Sequence, residues 1–183
     1  MESDPASKTV SWQKGYVQVY TGNGKGKTTA AFGLALRAAG AGLPVFIAQF
    51  AKAGEYSESV ALQRFSDLIT LRQYGSGRFI RGEPSEEDVR AARKGLQETG
   101  EALHSGKYRL VILDEANIAT FFGLFPVEDL LALIQDKPVD VELVITGRNA
   151  DPSVLNRADL ITEMREIKHY YVNGVRARKG IES

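Results

Sequence analysis

The chain has 183 residues, 43% of them hydrophobic, which is enough for one domain with a sizeable core. Its 23 Lys and Arg residues equal its 23 Asp and Glu residues, and a formal net charge of zero argues against a nucleic-acid partner. The absence of cysteine excludes disulfides, thiolate zinc sites and cysteine nucleophiles.

The sequence also favours a soluble, cytoplasmic protein with no membrane partner. No apolar stretch approaches the length that spans a bilayer. Residues 1–14 are polar and lack the apolar core of a secretory signal. We expect residues 1–14 to form a flexible arm, from which Trp12 can dock on the body, and residues 15–183 to form a single domain.

Runs of apolar and β-branched residues alternate with helical patterns along the chain. Strands are predicted at residues 16–20, 45–50, 68–74, 110–113, 141–146 and 159–168. Helices are predicted at residues 30–39, 57–65, 85–104 and 126–135, with a short helix opening at Asp151 and a turn at Asn173-Gly174. This alternation predicts an α/β fold with a parallel, doubly wound sheet.

The most informative segment is a glycine-rich turn between the first strand and the first helix. It runs Thr21-Gly22-Asn23-Gly24-Lys25-Gly26-Lys27-Thr28-Thr29. Glycines let backbone N–H groups converge on an anion, and the N-terminus of the following helix adds partial positive charge. Lysine can reach phosphate oxygens, and the threonine after it can bind Mg²⁺. The segment predicts a phosphate-binding loop; the alternative is a glycine-rich turn without a ligand.

The spacing of this loop departs from the usual pattern. Four residues normally separate the first glycine from Gly-Lys, whereas three residues separate Gly22 from Gly26. The predicted loop is therefore shorter and carries an extra cation, Lys25. This difference can change which phosphate lies deepest in the loop, or the direction in which the nucleotide lies.

A second nucleotide signature follows the fourth predicted strand. Four apolar residues, 110–113, lead directly into Asp114 and Glu115. In phosphate-loop proteins an acid at this position lies near Mg²⁺. Apolar strands that end in acids are common, so the signature gains its weight from the loop at Gly22.

Several segments together resemble the ATP:corrinoid adenosyltransferase family. They are Thr21 to Gly33, Val111 to Glu115, Ile145 to Arg148, and Ile167 to His169 with Gly180 and Ile181. The resemblance implies a RecA-like P-loop fold, with a mostly parallel six-stranded sheet, helices on both faces and a homodimer. It also implies ATP as co-substrate, Mg²⁺ or Mn²⁺, and a flavoprotein reductase as electron donor. The implied substrate is a reduced corrinoid: cob(I)yrinic acid a,c-diamide, cobinamide or cobalamin.

In the reaction that the resemblance implies, Co(I) attacks the 5′-carbon of ATP and triphosphate leaves. The nucleotide is implied to lie reversed in the loop, and the shortened spacing is a plausible cause. Lys27, Lys25 and Phe79 are the implied catalytic residues, and Thr28 and Glu115 the implied metal ligands, with Asp114 supporting them or structural. The implied nucleotide-binding residues are Gly22, Asn23, Gly24, Lys25, Gly26, Lys27, Thr28, Thr29 and Arg37.

The loop of residues 75–84 is where the family is implied to strip the lower axial ligand of the corrinoid. Relatives tend to carry a phenylalanine and a tryptophan there, whereas this chain has Arg78-Phe79-Ile80. The preferred corrinoid therefore stays open, and ordinary loop packing is the alternative for Phe79. Arg37 can contact ribose or base, also across a dimer, or be a solvated helix arginine. Arg148 can contact phosphate or a corrin carboxamide, or cap its loop. His169 can have a functional role, with a structural histidine as the alternative.

Two other functions remain open from the sequence. A RecA-like ATPase or nucleoside kinase would use Glu115 to orient a water or hydroxyl toward the γ-phosphate. A nucleotide-gated binding module would deliver a corrinoid without chemistry. The products discriminate between them, since the transferase forms triphosphate and an adenosylcorrinoid, whereas the ATPase forms ADP and phosphate.

Overall fold

The structure is a computed structural model that describes residues 12–54, 56–76 and 82–182. Its strands are β1 (Val17–Thr21), β2 (Val45–Phe50), β3 (Ile69–Tyr74), β4 (Leu110–Asp114), β5 (Glu142–Thr146) and β6 (Leu160–Glu163). Its α-helices are α1 (Lys27–Gly40), α2 (Ser57–Leu62), α3 (Glu86–His104), α4 (Ala116–Phe121), α5 (Val127–Asp136) and α6 (Pro152–Leu155). Short 3₁₀ helices occupy Gln63–Phe65 and Tyr170–Asn173.

The six strands form one sheet in the order β3-β2-β4-β5-β1-β6, and every neighbouring pair is parallel. This confirms the predicted α/β class and six-stranded sheet. The carboxyl ends of all six strands therefore meet at one edge, where open α/β sheets bind their ligands.

Helices cover both faces of the sheet because residues that alternate along each strand point to opposite sides. On one face, Ala31 and Phe32 of α1 pack with Val45 and Ile47 of β2. On the other face, residues of α3, α4, α5 and α6 pack with Phe46 and others of the sheet. The central strands are buried on both sides, as their nearly continuous apolar sequences predict.

Two elements differ from the sequence prediction. The strand predicted over residues 159–168 is only β6, and all four of its residues are exposed. It is short because its neighbour β1 ends at Thr21. The last bond between the two segments runs from the Met164 N–H to the Thr21 carbonyl oxygen (2.8 Å). Helix α4 is not predicted because it has six residues and follows Glu115 without a Ser, Thr, Asp or Asn cap.

Trp12 packs against the body of the domain. Its indole Nε1 donates to the Asp140 carbonyl oxygen (3.0 Å), and the Arg109 guanidinium lies 5.7 Å from its ring centroid. Across the residues that the structure describes, no helix combines the length and the apolar character needed to cross a bilayer.

Candidate active site

The carboxyl edge of the sheet carries unusual backbone geometry. Among the residues that the structure describes, three non-glycine residues have left-handed φ angles: Ala51 (52°), Glu115 (60°) and Asn149 (55°). Each follows the carboxyl end of a central strand, β2, β4 or β5. Such conformations are costly for residues with a Cβ, and they cluster at functional sites. The backbone therefore points to this edge independently of any motif.

The glycine-rich loop lies at this edge, between β1 and α1. Gly26 caps α1 with φ 109°, and no side chain caps the helix. The first turn of α1 also contains no acidic residue. The first N–H groups of a helix have no partner within the helix, so this end offers them to an anion together with the positive end of the dipole.

Lys27 lies within the loop and is 6% exposed. Its Nζ donates to the carbonyl oxygens of Gly22 (2.8 Å) and Gly24 (2.7 Å). Burial lowers the pKa of Lys27 and Arg148 lowers it further, whereas Glu115 opposes the shift. The ammonium thus ties the start of α1 to the carbonyl oxygens of the preceding loop.

The chain after β6 packs directly on the loop. The N–H of Gly24 donates to the Met164 carbonyl oxygen (2.6 Å). A Cβ at Gly22 would lie 2.5 Å from that same oxygen, and a Cβ at Gly24 would lie 2.8 Å from it. Both glycines are therefore required by the close approach of Met164. The Gly24 amide therefore has a partner within the protein, the Met164 carbonyl oxygen.

Lys25, the extra cation of the loop, faces the end of the chain. Its Nζ lies 3.8 Å from a carboxylate oxygen of Glu182, and its side chain is 44% exposed. Hydrogen bonds from Arg178 and Tyr170 lower the pKa of Glu182 to about 2, so this carboxylate stays ionised at neutral pH. Lys25 therefore faces a carboxylate supplied by the protein itself.

Asp114 is the most completely satisfied polar group at the site, and it is fully buried. Its Oδ1 accepts from the hydroxyls of Thr28 (2.9 Å) and Thr146 (2.7 Å). Its Oδ2 accepts from Gln49 Nε2 (2.9 Å) and lies 3.4 Å from Lys52 Nζ. Asp114 thereby connects the start of α1 with the ends of β2 and β5.

A chain of amides leads from Asp114 to the loop after β2. The Gly54 N–H donates to Gln73 Oε1 (3.2 Å), Gln73 Nε2 donates to Gln49 Oε1 (2.9 Å), and Gln49 Nε2 donates to Asp114. Gln73, Gln49 and Asp114 are aligned because they are register partners on three adjacent strands. The chain has a fixed direction, since a backbone N–H can only donate and a carboxylate can only accept.

Glu115 sits half-buried beside this network. Its backbone N–H donates to the Thr146 hydroxyl (3.0 Å), which orients the strained turn. Burial raises the pKa of Glu115, the charge of Asp114 raises it further, and Lys52, Lys27 and Arg148 oppose the rise. Among the described residues, none donates a hydrogen bond to its carboxylate or forms an ion pair with it, so the carboxylate is available to a cation.

Most of the chain, including this site, is similar in sequence to a known protein family. The profile of the family described as ATP:corrinoid adenosyltransferase BtuR/CobO/CobP matches residues 13–183. The chain belongs to this family. It is a corrinoid adenosyltransferase, a kind of enzyme that takes part in cobalamin biosynthesis.

Individual members of the family agree over most of the chain. A corrinoid adenosyltransferase of Pseudomonas aeruginosa is 35% identical over 171 residues, which are 93% of this chain and 84% of that protein. Those of Escherichia coli K12 and Salmonella typhimurium, the latter named CobA, are each 32% identical over 170 residues, 93% of this chain and 86% of theirs. The corrinoid adenosyltransferase resemblance seen in the sequence is confirmed.

The structure brings most of the predicted site residues of this adenosyltransferase together. At the N-terminus of α1 the Thr28 hydroxyl donates to Asp114, and the Glu115 backbone N–H is connected to the same carboxylate through the Thr146 hydroxyl. Asn23 is exposed on the loop beside Lys25, and Thr29 is exposed in the first turn of α1, which begins at Lys27. Arg37 is not brought to the site, since it lies ten residues along α1 from Lys27, roughly 15 Å at 1.5 Å per residue. Phe79 and Ile80 lie outside the described residues.

Four polar residues at the site have no predicted role: Gln49, Lys52, Gln73 and Thr146. The sequence signal for them is the position of each polar residue at or just after the carboxyl end of an apolar strand. Gln49 is the clearest case, because β2 is otherwise apolar and Gln49 is only 1% exposed. A buried amide in such a strand requires polar partners, and here they are Asp114 and Gln73.

A divalent metal would have few carboxylates to bind. Within the described part of the chain, no group of three or more His, Asp or Glu residues is arranged to hold an ion. Mg²⁺ commonly binds one or two protein groups and takes its other ligands from water and substrate phosphates. The Thr28 hydroxyl and the free Glu115 carboxylate match that donor set, so the residues present fit a nucleotide-bound metal.

Proposed function

We propose that this protein transfers the 5′-deoxyadenosyl group of ATP to the Co(I) centre of a reduced corrinoid and releases triphosphate. The observation that carries the proposal is the shortened loop, with two lysines at the uncapped start of α1, in a chain of this family. The corrinoid is cob(I)yrinic acid a,c-diamide, cobinamide or cobalamin. The reaction forms a Co–C bond with the electron pair of cobalt and breaks the C5′–O bond, whose electrons leave with the triphosphate.

The chain's own residues stabilise the leaving group in this proposal. Negative charge grows on the triphosphate as the C–O bond breaks, and Lys27, Lys25 and the N–H groups of residues 23–28 surround it. Stabilising charge that develops in the transition state is commonly the largest catalytic contribution. The protein needs no nucleophile or general base because cobalt is the nucleophile, which agrees with a chain that has no cysteine and two histidines.

The proposal requires the ribose, and not the γ-phosphate, to face the corrinoid. The triphosphate then lies reversed in the loop relative to a kinase or an ATPase. Crowding by Met164 at Gly22 and Gly24 supports a restricted pocket, since neither position tolerates a Cβ. A crystal structure with bound nucleotide tests this point directly. A γ-phosphate directed away from the loop, with the adenosine buried, would overturn the proposal.

Thr28 and Glu115 are the proposed ligands of Mg²⁺ or Mn²⁺. When bound, the metal would neutralise charge on the triphosphate. Asp114 holds the Thr28 hydroxyl from behind (2.9 Å) and so sets its direction. The half-buried Glu115 carboxylate is uncompensated by hydrogen bonds from the described residues, and a cation would relieve it.

The remaining assignments concern partners beyond the loop. We propose that Phe79 contacts the corrinoid and helps to remove its lower ligand, that a flavoprotein supplies the electron, and that residues 15–183 act as one domain in a homodimer. Arg37 would then reach a nucleotide only across a subunit interface. Phe79→Ala should impair reduction of Co(II) more than ATP binding, and equal loss of both would make Phe79 structural.

The decisive experiment is anaerobic incubation with ATP, Mg²⁺ and chemically reduced cobalamin, followed by absorption spectroscopy. Formation of adenosylcobalamin together with triphosphate is the expected result. ADP and phosphate without a Co–C bond would favour the ATPase or kinase. Nucleotide-dependent corrinoid binding without either product would favour the binding module.

A further inference from the structure

The proposed reaction assigns no role to the Lys52 ammonium. The Lys52 ammonium lies 3.4 Å from Asp114 Oδ2 and 3.5 Å from the Thr28 hydroxyl oxygen, and the Lys52 side chain is 23% exposed. Asp114 is fully buried, and a buried carboxylate needs a compensating charge or strong hydrogen bonds. Of the charged side chains that the structure describes, only Lys52 forms an ion pair with Asp114.

The contacts of Lys52 are long and electrostatic. Both exceed the 2.7–3.2 Å typical of N–H···O bonds, whereas Gln49 Nε2 lies 2.9 Å from the same carboxylate. On its other side the ammonium lies 5.8 Å from the centroid of the Tyr56 ring. The ammonium is therefore attracted to the carboxylate without being fixed by short bonds, and its side chain can turn away.

The backbone of Lys52, in contrast, is fixed in place. The N–H of the preceding residue, Ala51, donates to the Tyr74 carbonyl oxygen (3.0 Å), and Ala51 adopts a left-handed conformation. A Cβ on Gly75 would lie 2.8 Å from the Lys52 backbone nitrogen, so the two segments are in close contact. Any movement of the ammonium must come from rotation of the side chain.

Lys52 and the proposed metal compete for the same neighbours. A metal bound through the Thr28 hydroxyl would share an oxygen with an ammonium only 3.5 Å away, next to the same carboxylate. Two cations there repel each other, and the stronger ligand set of the metal–nucleotide would prevail. The ammonium would then turn from Thr28, while the metal takes over the compensation of Asp114.

We propose that Lys52 is the resident cation of this site. It compensates Asp114 and holds Thr28 in the metal-free protein, supports the triphosphate when no metal is present, and is displaced when the metal–nucleotide binds. The inference rests on the proposed function, because it takes Thr28 as a metal ligand. It makes Lys52 a positioning residue whose effect depends on metal.

If Lys52 and the metal compete, the effect of Lys52 on ATP affinity must depend on whether Mg²⁺ is present, and this dependence can be measured. Lys52→Met keeps the length of the side chain and removes its charge. Metal-free ATP should then bind about tenfold more weakly, the effect of losing one charge-assisted contact. ATP with saturating Mg²⁺ should bind at least as well as to the original protein, because no ammonium has to be displaced by the metal. The ratio of the dissociation constants without and with Mg²⁺ should therefore rise at least about tenfold.

The experiment is isothermal titration of the full chain with ATP, once in EDTA and once in excess Mg²⁺. Lys52→Arg should largely restore the original ratio because it keeps the charge. Lys107→Met, an exposed lysine before β4, is the matched control and should leave both constants unchanged. Thermal unfolding of each variant reports whether it is folded; if Lys52→Met is not, Lys52→Gln removes the charge and keeps a hydrogen-bond donor.

Each result is decisive. An equal loss of affinity in EDTA and in Mg²⁺ would make Lys52 a permanent phosphate ligand and overturn the inference. No loss in either condition would make it structural and overturn the inference as well. If the original protein itself binds ATP equally with and without Mg²⁺, the metal assignment in the proposed function fails, a result that the unsubstituted protein alone reveals.

Discussion

Replacing Asp114 with asparagine tests the polar network at the centre of the site. Asparagine has nearly the same shape, but one of its two terminal atoms is a donor. Placed with the nitrogen at the Oδ2 position, it would face Gln49 Nε2, now 2.9 Å away, and the Lys52 ammonium. Placed the other way, its nitrogen would face two hydroxyls that now donate to Asp114, from Thr28 and Thr146.

The network cannot adapt by turning its amides. Gln49 would have to present its oxygen to the new donor, but that oxygen accepts from Gln73 (2.9 Å), whose own oxygen accepts from the Gly54 backbone N–H (3.2 Å). Reversing Gln49 and Gln73 would place two donors against each other at Gly54. At least one buried donor therefore loses its acceptor, and Lys52 loses its counter-charge.

These losses set the expected magnitude. A hydrogen bond to a charged group contributes about 1.5–3 kcal/mol, and removing one partner of a buried ion pair costs about 3–5 kcal/mol. Because Lys52 is partly exposed, we take the lower end, about 3 kcal/mol. For a chain of this length, 1 kcal/mol shifts the unfolding midpoint by about 2–4 °C, so Asp114→Asn should lower Tm by about 6–12 °C.

Thermal unfolding by circular dichroism without nucleotide or metal measures this shift. Asp136→Asn makes the same chemical change at the exposed end of α5 and should move Tm by less than about 2 °C. If Asp114→Asn unfolds within that same margin, the directional amide chain does not stabilise the domain, and the reasoning is refuted. A large shift in both variants would point to net charge instead of the network.

Three further substitutions test the groups around the triphosphate. Lys27→Ala should leave the chain folded and reduce turnover by about 10²–10³-fold, measured as adenosylcorrinoid formed per minute, since it removes a donor to the leaving group. Glu115→Gln should weaken the metal dependence of ATP binding at least about tenfold. It should also flatten stability against pH: the raised pKa of Glu115 means the folded protein holds that proton more tightly, so stability falls as pH rises above 4.5. Glu182→Gln should strengthen ATP binding severalfold, because it frees Lys25 from an internal anion.

Separate outcomes would contradict each of these. An active Lys27→Ala variant would remove the phosphate role of that lysine. An unchanged Mg²⁺ titration for Glu115→Gln would remove Glu115 from the metal site, and an unchanged pH profile would show that its carboxyl is not perturbed in the fold. Weaker ATP binding by Glu182→Gln would mean that the carboxylate orders the loop instead of competing for it.

The sequence predicts the fold and the loop well because both depend on local patterns. Apolar runs define the buried strands, and the glycines with Lys27 and Thr28 define the turn into α1. The sequence does not predict β6 correctly, since its end is set by where β1 stops. The end of β6 depends on pairing with β1 and not on the residues 159–168 themselves.

The network around Asp114 is hidden from the sequence for a related reason. Gln73, Gln49 and Asp114 are distant in the chain, and only the register of three strands aligns them. Lys52 stands in a loop recognisable as part of the ligand edge, but its contact with Asp114 depends on the left-handed turn at Ala51. Such backbone turns at non-glycine residues carry no sequence signal that distinguishes them from ordinary loops.

The same arrangement explains how a site that we propose to bind a triphosphate is stable without it. Carbonyl oxygens of the loop engage Lys27, Glu182 faces Lys25, and the Met164 carbonyl engages the Gly24 amide. In the proposed function, triphosphate oxygens replace these internal acceptors. Binding therefore exchanges one set of oxygen acceptors for another instead of filling unsatisfied donors, and affinity depends on the difference between the two sets. Substitutions that weaken the internal partners should thus act mainly on nucleotide affinity, whereas those at Asp114, whose hydrogen-bond donors are all protein groups, should act on the stability of the fold.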